Sequence, residues 1–176
     1  MTTTMTVFAD VPITAKAMID TPIGPMAALA TERGLAALLF DGDKHHQGPF
    51  ESPDAKVAPR NPHVVAARHW LDAYWDGRDP SLDELALDLH GSAFQRAVWQ
   101  ALLTIPFGRT CTYGEVAARV GHGAMPRATG SAVGRNPVAV IVPCHRVIGA
   151  DGSLTGYASG LPRKERLLQH EGVLLA

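Results

Sequence analysis

The spacing of apolar residues changes near residue 90, and this change constrains the fold more than any other feature of the chain. Residues 17–31 (AMIDTPIGPMAALAT) and 34–40 (GLAALLF) carry short apolar runs separated by Gly and Pro, a pattern typical of β-strands. Residues 63–77 (HVVAARHWLDAYWDG) have helical apolar spacing and end in Gly77, a C-terminal helix signal. The sequence therefore predicts an N-terminal domain of strands plus a helix, residues 1–89. The polar, Pro- and Gly-rich residues 41–62 predict a loop inside it.

The remaining residues, 90–176, predict a mostly helical second domain. Residues 92–105 (SAFQRAVWQALLTI) place apolar side chains on one helical face, with Ser92 as the N-cap. Two further short helices are predicted at 112–121 and 127–135, joined by the glycine-containing linker 121–126. Helices joined in this way suggest a helix-turn-helix, whose second helix enters a DNA groove, although many helical hairpins share the pattern. The apolar residues of the first helix face are Phe94, Val98, Leu102 and Ile105.

The net charge of the chain also changes sign near residue 90. Residues 1–90 hold 7 Lys and Arg against 13 Asp and Glu, and residues 91–176 hold 9 against 4. A basic C-terminal half is expected to face a polyanion, although an acidic domain packed beside a basic one would give the same balance. The chain shows no export signal, and its longest apolar runs are too short to span a bilayer. We therefore expect a cytoplasmic protein with no membrane partner.

The two cysteines, Cys111 and Cys144, form neither a disulfide framework nor a CxxC zinc pair, so no metal is predicted. Cys144 stands in the segment VPCHRVIG, directly before His145. A free cysteine is often simply buried, but a thiol can also act as a nucleophile if a base and an orienting acid accompany it. The acid could be any of four residues of this half: Glu115, Asp151, Glu165 or Glu171.

The geometry around Cys144 poses a difficulty. Residues 136–143 (NPVAVIVP) predict an extended apolar segment that leads straight to the cysteine. Consecutive side chains on a strand point to opposite faces, so His145 could reach the thiol only if the backbone turns after Pro143 or if a water bridges the two.

The segments around Cys144 resemble the O6-alkylguanine-DNA alkyltransferases. The core Pro-Cys-His-Arg-Val at 143–147 is specific when Asn136-Pro137 precede it and Gly156-Tyr157 follow. The similarity extends to 94–117 (FQRAVWQALLTIPFGRTCTYGEVA) and to RKERLLQHEG, and more loosely to DTPIGPM and the helix at 63–77. It covers most of the chain beyond residue 18.

The resemblance implies an α+β (α/β) fold with an RNase H-like sheet-plus-helix N-terminal domain and a winged helix-turn-helix-like C-terminal domain. It implies DNA repair by direct reversal, in which a monomer without a cofactor binds double-stranded DNA. The alkyl group of O6-alkylguanine, with O4-alkylthymine as a candidate second substrate, would pass irreversibly to Cys144 after the damaged nucleotide is flipped out of the duplex.

Residue roles also follow from the resemblance. His145, through a water, would take the thiol proton, and Glu171 would hold the imidazole. Asn136 matches a hinge asparagine, and Tyr113 matches a tyrosine that donates to the leaving guanine and helps rotate the nucleotide. Arg127 matches an arginine that fills the gap in the base stack. The implied DNA-binding set is completed by Ala128 and Arg135, and the implied substrate pocket is formed by Pro143, Val147, Tyr157 and Ser159.

Three positions depart from the family pattern. Pro126 precedes Arg127, and because proline is accepted in a first helical turn, Arg127 is expected at the very start of the recognition helix. Ser159 stands where glycine is usual, which would tighten the pocket rim. Cys111 has no family role, and the N-terminal domain has no cysteines for the zinc site that some relatives carry.

Three other kinds of protein would share parts of this pattern. An alkyltransferase-like protein binds alkylated DNA without repairing it, but such relatives lack the acceptor cysteine that this chain retains as Cys144. A cysteine hydrolase with a Cys-His-Glu triad would turn over repeatedly and ignore DNA. A DNA-binding regulator would use the helix-turn-helix without any chemistry.

Overall fold

The computed structural model describes residues 8–46, 55–121 and 125–175. The chain forms two compact units, Met1–His90 and Gly91–Ala176. The first is built on a sheet and the second is mostly helical, which confirms the predicted α+β class. No helix in the described part of the chain is long and apolar enough to cross a membrane.

A four-stranded sheet forms the N-terminal unit. The strands β1 (Ala15–Ile19), β2 (Met26–Ala30) and β3 (Leu35–Phe40) pair antiparallel, and β4 (Lys56–Val57) pairs parallel with β1, giving the order β3-β2-β1-β4. Every residue of β2 and β3 is buried, which explains why both strands are continuous apolar runs in the sequence, although β3 lies at an edge of the sheet. The prediction of strands in this region is confirmed.

A helix packs against this sheet and contacts β1, β2 and β3. Helix α1 (Pro62–Trp75) begins after Asn61, whose side chain accepts hydrogen bonds from the backbone N–H groups of residues 63 and 64. Gly77 follows the C-cap with a φ of 81°, a left-handed conformation that glycine adopts without strain. The predicted helix at 63–77 is confirmed within two residues at each end.

The predicted loop at 41–62 was wrong at two places among its described residues. The two residues of β4 extend the sheet by pairing with β1, and α1 already begins at Pro62. A two-residue strand carries no periodicity of its own, so only its partner strand could have revealed it. The middle of this loop, residues 47–54, lies outside the described residues.

In its described residues, the C-terminal unit contains four α-helices: α2 (Ala93–Leu102), α3 (Tyr113–Arg119), α4 (Pro126–Gly134) and α5 (Leu161–His170). Strand β5 (Cys111–Thr112) pairs parallel with β6 (Val147–Ile148). Helices α2, α3 and α4 contact one another, which places α3 and α4 as the two helices of the predicted helix-turn-helix. Of the linker between them, residues 122–124 lie outside the described residues.

Local capping explains where α2 and α3 begin. Ser92 and Gln95 form a capping box at the start of α2, and Thr112 and Glu115 form another at the start of α3. Pro126 occupies the first turn of α4, as the sequence predicted. Helix α2 ends at Leu102, so Ile105 is buried beyond the helix and not on its face.

The predicted extended segment at 136–143 was wrong. The chain instead turns back on itself here: the backbone N–H of Val142 donates to the carbonyl of Val138 at 3.0 Å, and Val140 has a φ of 71°. Burial of the whole run explains the apolar composition, because a buried turn and a buried strand share it. The Asn136 side chain supplies the polar contacts that a neighbouring strand would otherwise give.

Candidate active site

Cys144 opens a short 3-10 turn, Cys144–Arg146, directly after Pro143. A 3-10 helix has about three residues per turn, so neighbouring side chains lie roughly 120° apart and not on opposite faces. The backbone therefore turns after Pro143, but Nδ1 of His145 has no hydrogen-bond partner among the described residues, so the turn alone does not join the imidazole to the thiol. Cys144 is 8% exposed and His145 is completely buried.

His145 forms a hydrogen bond through its Nε2 with Oε2 of Glu171, the C-cap residue of helix α5. The other three acidic residues of this unit are engaged elsewhere. Glu115 caps helix α3, Asp151 accepts hydrogen bonds within its own loop, and Glu165 contacts a neighbour on its own helix. The structure thus pairs Glu171 with the residue directly after Cys144, and the other three acids are not part of this pair.

Arg146 holds the second oxygen of the Glu171 carboxylate. Its Nε donates to Oε1 at 2.7 Å, and its Nη1 donates to the carbonyl of Ile105 at 2.7 Å. The backbone N–H of Gly108 also donates to Oε1, at 3.0 Å. The guanidinium lies over the ring of Phe107, 5.8 Å from its centroid. Both oxygens of Glu171 are therefore fixed, one by a cation and one by the imidazole.

These contacts set the protonation states of the buried pair. Burial alone would raise the pKa of Glu171, but hydrogen bonds from His145 and the charge of Arg146 lower it to about 2. Burial lowers the pKa of His145, and the nearby charges of Arg146 and Lys164 act in the same direction, against the opposing Glu171. At neutral pH the pair is an anionic carboxylate beside a neutral imidazole. A neutral ring that donates from Nε2 keeps a lone pair at Nδ1.

Tyr113 and Lys164 converge on one backbone carbonyl near the cysteine. The Tyr113 hydroxyl donates to the carbonyl of Thr155 at 2.9 Å, and Nζ of Lys164 donates to the same oxygen at 3.1 Å. Lys164 is completely buried and also donates to the carbonyls of Val147 and Gly156. Burial lowers the pKa of Lys164 to about 8, while its attraction to Cys144 opposes the shift. Burial raises the pKa of Tyr113, so its hydroxyl stays protonated.

Asn136 ties the end of helix α4 to the segment before Cys144. Its Nδ2 donates to the carbonyl of Val142 at 2.7 Å, and its Oδ1 accepts from the backbone N–H of Val138 at 2.9 Å. The side chain is buried and satisfied at both ends, which fixes the turn at 136–143. Cys144 follows this turn, so the Asn136 hydrogen bonds link the end of α4 to the segment that leads to the cysteine.

The three residues of the implied DNA-binding set on α4 differ in exposure. Arg127 and Arg135, near the two ends of the helix, are exposed, and Ala128 is half-buried. Neither guanidinium has an ion-pair partner among the residues that the structure describes. A β-carbon at Gly130 would lie 3.8 Å from the Tyr113 ring, so this tyrosine packs against α4. Two unpaired cations therefore flank a helix that contacts Tyr113.

The implied substrate-pocket residues are all buried, although they occupy different segments. Pro143 precedes the 3-10 turn, Val147 begins β6, and Tyr157 and Ser159 lie in the loop before α5. The carbonyl of Ser159 accepts a hydrogen bond from Arg163 at 3.1 Å. Within the described ranges, no group of three His, Cys, Asp or Glu side chains could hold a metal ion.

Sequence reasoning missed the two buried cations, Arg146 and Lys164. Arg146 stood inside the quoted core motif, yet no role was assigned to it. Leu167, Leu168 and Glu171 follow Lys164 by three, four and seven residues. This is the spacing of residues on one face of a helix. That spacing was a usable signal, because all four side chains are buried.

Comparison with known proteins gives one consistent result. The family model of the 6-O-methylguanine DNA methyltransferase DNA binding domain matches residues 93–173, and the model of its ribonuclease-like domain matches residues 15–89. The methylated-DNA–protein-cysteine methyltransferase of Methanosarcina acetivorans is 47% identical over 156 residues, covering 89% of this chain and 97% of that protein. The protein of the same name from Mycobacterium leprae is 47% identical over 155 residues, covering 87% and 89%.

A solved structure agrees with these sequence matches. The crystal structure of Mycobacterium tuberculosis OGT in complex with DNA superposes with a TM-score of 0.80 at 40% identity. The match covers 92% of this chain and 96% of that chain. The similarity therefore includes both compact units.

Proposed function

Because the chain belongs to the 6-O-methylguanine DNA methyltransferase family, we propose that Cys144 is the residue that accepts the alkyl group. The protein repairs DNA by direct reversal: it binds double-stranded DNA and moves the alkyl group of O6-alkylguanine to one of its own cysteines. The observation that carries the choice of cysteine is the buried hydrogen bond between His145 and Glu171, directly beside Cys144. Cys111 is flanked in the chain by Thr110 and Thr112, and not by a histidine.

The proton of the thiol goes to His145. Glu171 occupies Nε2 of the imidazole, so Nδ1 is the ring nitrogen that receives the proton, through a bridging water. The carboxylate then stabilises the imidazolium that forms, while Arg146 keeps that carboxylate anionic and correctly turned. The resulting thiolate is the nucleophile, because the neutral thiol is a much weaker one.

The thiolate attacks the alkyl carbon as the carbon–oxygen bond to guanine breaks. The bonding electrons move into the guanine ring, which is a poor leaving group as an anion. A proton donor at a ring nitrogen lowers that barrier. Tyr113 suits this role, because its half-buried hydroxyl retains its proton and lies in the same unit near Cys144.

Lys164 supplies fixed positive charge near the developing thiolate. Its Coulomb attraction to Cys144 acts on both partners, so the ammonium stabilises negative charge on the sulfur. Complete burial keeps this interaction from being screened by solvent. Its bonds to Val147, Thr155 and Gly156 hold β6 and the following loop, which form part of the proposed substrate pocket.

Helix α4 is the element that meets the duplex in this proposal. The alkylated oxygen lies inside the base stack, so the nucleotide must be turned out to reach Cys144. Arg127, exposed at the start of α4, fills the gap that the nucleotide leaves, with Ala128 beside it and Arg135 binding phosphate. The proposed pocket for the flipped base is lined by Pro143, Val147, Tyr157 and Ser159.

The product explains why each molecule acts once. A thioether offers water no carbonyl to attack, so the alkylated cysteine is not regenerated. We assign residues 1–89 to the N-terminal domain and 90–176 to the domain that carries DNA binding and chemistry. A monomer suffices, since every proposed catalytic side chain comes from one chain. A thiol that must remain reduced favours the cytoplasm.

A stoichiometric titration tests this function. Purified protein is mixed with increasing amounts of duplex DNA that contains a single O6-methylguanine, and the repaired base is counted. We expect repair to stop at one lesion per protein molecule. Repeated turnover would indicate a hydrolase-like enzyme, and binding without any repair would indicate a DNA-binding regulator. Either result would contradict the proposal.

A further inference from the structure

The hydroxyl of Tyr113 can donate to one acceptor at a time, because a phenol carries a single O–H. In the structure that acceptor is the carbonyl of Thr155, at 2.9 Å. A β-carbon on Gly156 would lie 3.6 Å from the hydroxyl oxygen, so the hydroxyl lies against this loop. Under the proposed function the same proton points to a ring nitrogen of the leaving guanine. The hydrogen bond to Thr155 must therefore break before Tyr113 can act.

The ammonium of Lys164 already binds the same carbonyl oxygen. Its Nζ donates to Thr155 at 3.1 Å, and a carbonyl oxygen has two lone pairs, so Tyr113 and Lys164 together occupy both. Hydrogen bonds from a charged donor are stronger than those from a neutral one, and the ammonium also makes the oxygen a weaker acceptor for the phenol. Lys164 thus lowers the cost of releasing the Tyr113 hydroxyl.

Lys164 does not depend on Tyr113 for its own position. It is completely buried on α5, on the side of the helix that also buries Leu167 and Leu168. Two of its three donors bind the carbonyls of Val147 and Gly156. The Thr155 carbonyl therefore stays held when the hydroxyl leaves it.

We propose that the Tyr113–Thr155 hydrogen bond is the resting state of the proton donor, and that Lys164 is a positioning residue that lets the Tyr113 hydroxyl turn from Thr155 to the flipped guanine. This inference rests on the proposed function, in which Tyr113 donates to the base. Only hydrogen bonds are exchanged in this step, and the phenol keeps its proton until guanine leaves. Lys164 thus has a second effect, besides its attraction to the developing thiolate on Cys144.

The test compares two alkylating agents on the full chain with Cys111→Ser, in which Cys144 is the only thiol. Duplex DNA containing O6-methylguanine, at saturating concentration, needs a proton donor for its leaving group. Iodoacetamide needs none, because iodide leaves as a stable anion. Lys164→Met should slow both reactions through the thiolate. We expect it to slow methyl transfer by about three- to tenfold more, the rate equivalent of one hydrogen bond.

Tyr113→Phe is the matched control, because no hydroxyl remains to be released. In this variant Lys164→Met should slow the two reactions equally, within about twofold. Equal losses in the presence of Tyr113, or an excess loss that persists with Phe at this position, would overturn the role of Lys164 and leave the proposed function intact. A normal repair rate in Tyr113→Phe alone would instead contradict the proposed donor, and the inference with it.

A second measurement needs no change at Lys164. Threonine labelled with ¹³C at the carbonyl and glycine labelled with ¹⁵N select the two Thr-Gly pairs of the chain, 129–130 and 155–156, in an NMR spectrum. Damaged duplex added to Cys144→Ser should shift the Thr155 carbonyl signal in the direction that Tyr113→Phe shifts it without DNA. In Cys144→Ser with Tyr113→Phe, the duplex should add little further change. A Thr155 signal that stays in place when damaged DNA binds would overturn the proposed release.

Discussion

The two cysteines of this chain lie in the same unit and are both buried, yet their surroundings differ in kind. Cys111 is 2% exposed and Cys144 is 8% exposed, so burial does not distinguish them. Burial raises the pKa of Cys111, and the Glu115 carboxylate, which accepts a hydrogen bond from this thiol, acts in the same direction, against the opposing charge of Arg119. Cys144 instead has His145 beside it and the ammonium of Lys164 within Coulomb range.

Under the proposed function, the adjacent imidazole base and the buried ammonium, and not accessibility, separate Cys144 from Cys111. An anionic neighbour favours the protonated thiol, whereas a base and a cation favour the thiolate. Around Cys144, five polar or charged side chains are buried in the interior of this unit: Asn136, His145, Arg146, Lys164 and Glu171. Buried charges of this kind rarely add stability in proportion to their number. The proposed chemistry at Cys144 gives their arrangement a reason.

The largest effect is expected when the two cysteines are exchanged for serine one at a time. Cys144→Ser should abolish methyl transfer while DNA binding persists, because a hydroxyl is far less acidic than a thiol. The matched Cys111→Ser variant should repair at the normal rate. Gel-based counting of repaired duplex measures both. Loss of transfer in Cys111→Ser, in protein that still folds, would reverse the assignment.

Removing the base should lower the rate without removing the nucleophile. His145→Gln is expected to slow methyl transfer by about 10² to 10⁴, the usual contribution of a positioned general base. The variant should regain rate as the pH rises, since solvent hydroxide then deprotonates the thiol. Single-turnover rates across pH measure this, with His63→Gln as the control. A pH-independent loss would mean that His145 acts through folding and not as a base.

Low pH should lower the free energy of unfolding of the unit that contains Cys144. Glu171 has a pKa of about 2 in the folded protein, below the ordinary 4.5. Its stabilising contribution is therefore complete above pH 4.5 and is lost as the pH falls towards 2, a change of about 3 kcal/mol in the free energy of unfolding. Urea unfolding at a series of pH values measures it. Glu171→Gln should lack this component, whereas the exposed control Glu165→Gln should keep it.

The smallest of the expected changes concerns the step that brings the damaged base to Cys144. Arg127→Ala should slow repair of duplex DNA by tenfold to a few hundredfold, because unstacking a nucleotide costs a few kcal/mol. The free O6-methylguanine base needs no flipping, so its reaction should be nearly unchanged. Arg166→Ala, another exposed arginine of this unit, should give only a small, salt-sensitive loss. Equal loss on duplex and free base would contradict the role of Arg127.

Much of this account could be predicted from the sequence because it depends on local signals. Ser92 and Thr112 mark the helix starts by capping, which involves residues only three apart. The turn at 136–143 could not be predicted, since an apolar run does not distinguish a strand from a buried turn. The role of Lys164 depends on carbonyls of other segments, Val147 and Thr155, which only the folded chain brings to it. The residues alone left four candidates for the acid that orients His145. The family resemblance implied Glu171, and the structure shows the contact between Glu171 and His145.

The most direct test of the central claim is to locate the transferred group. The protein is reacted with duplex DNA containing O6-methylguanine, digested, and its two cysteine peptides are compared by mass spectrometry. The contrast between the two surroundings predicts one added methylene mass, found only on the peptide that carries Cys144. A methyl group on the Cys111 peptide, or shared between both peptides, would contradict it.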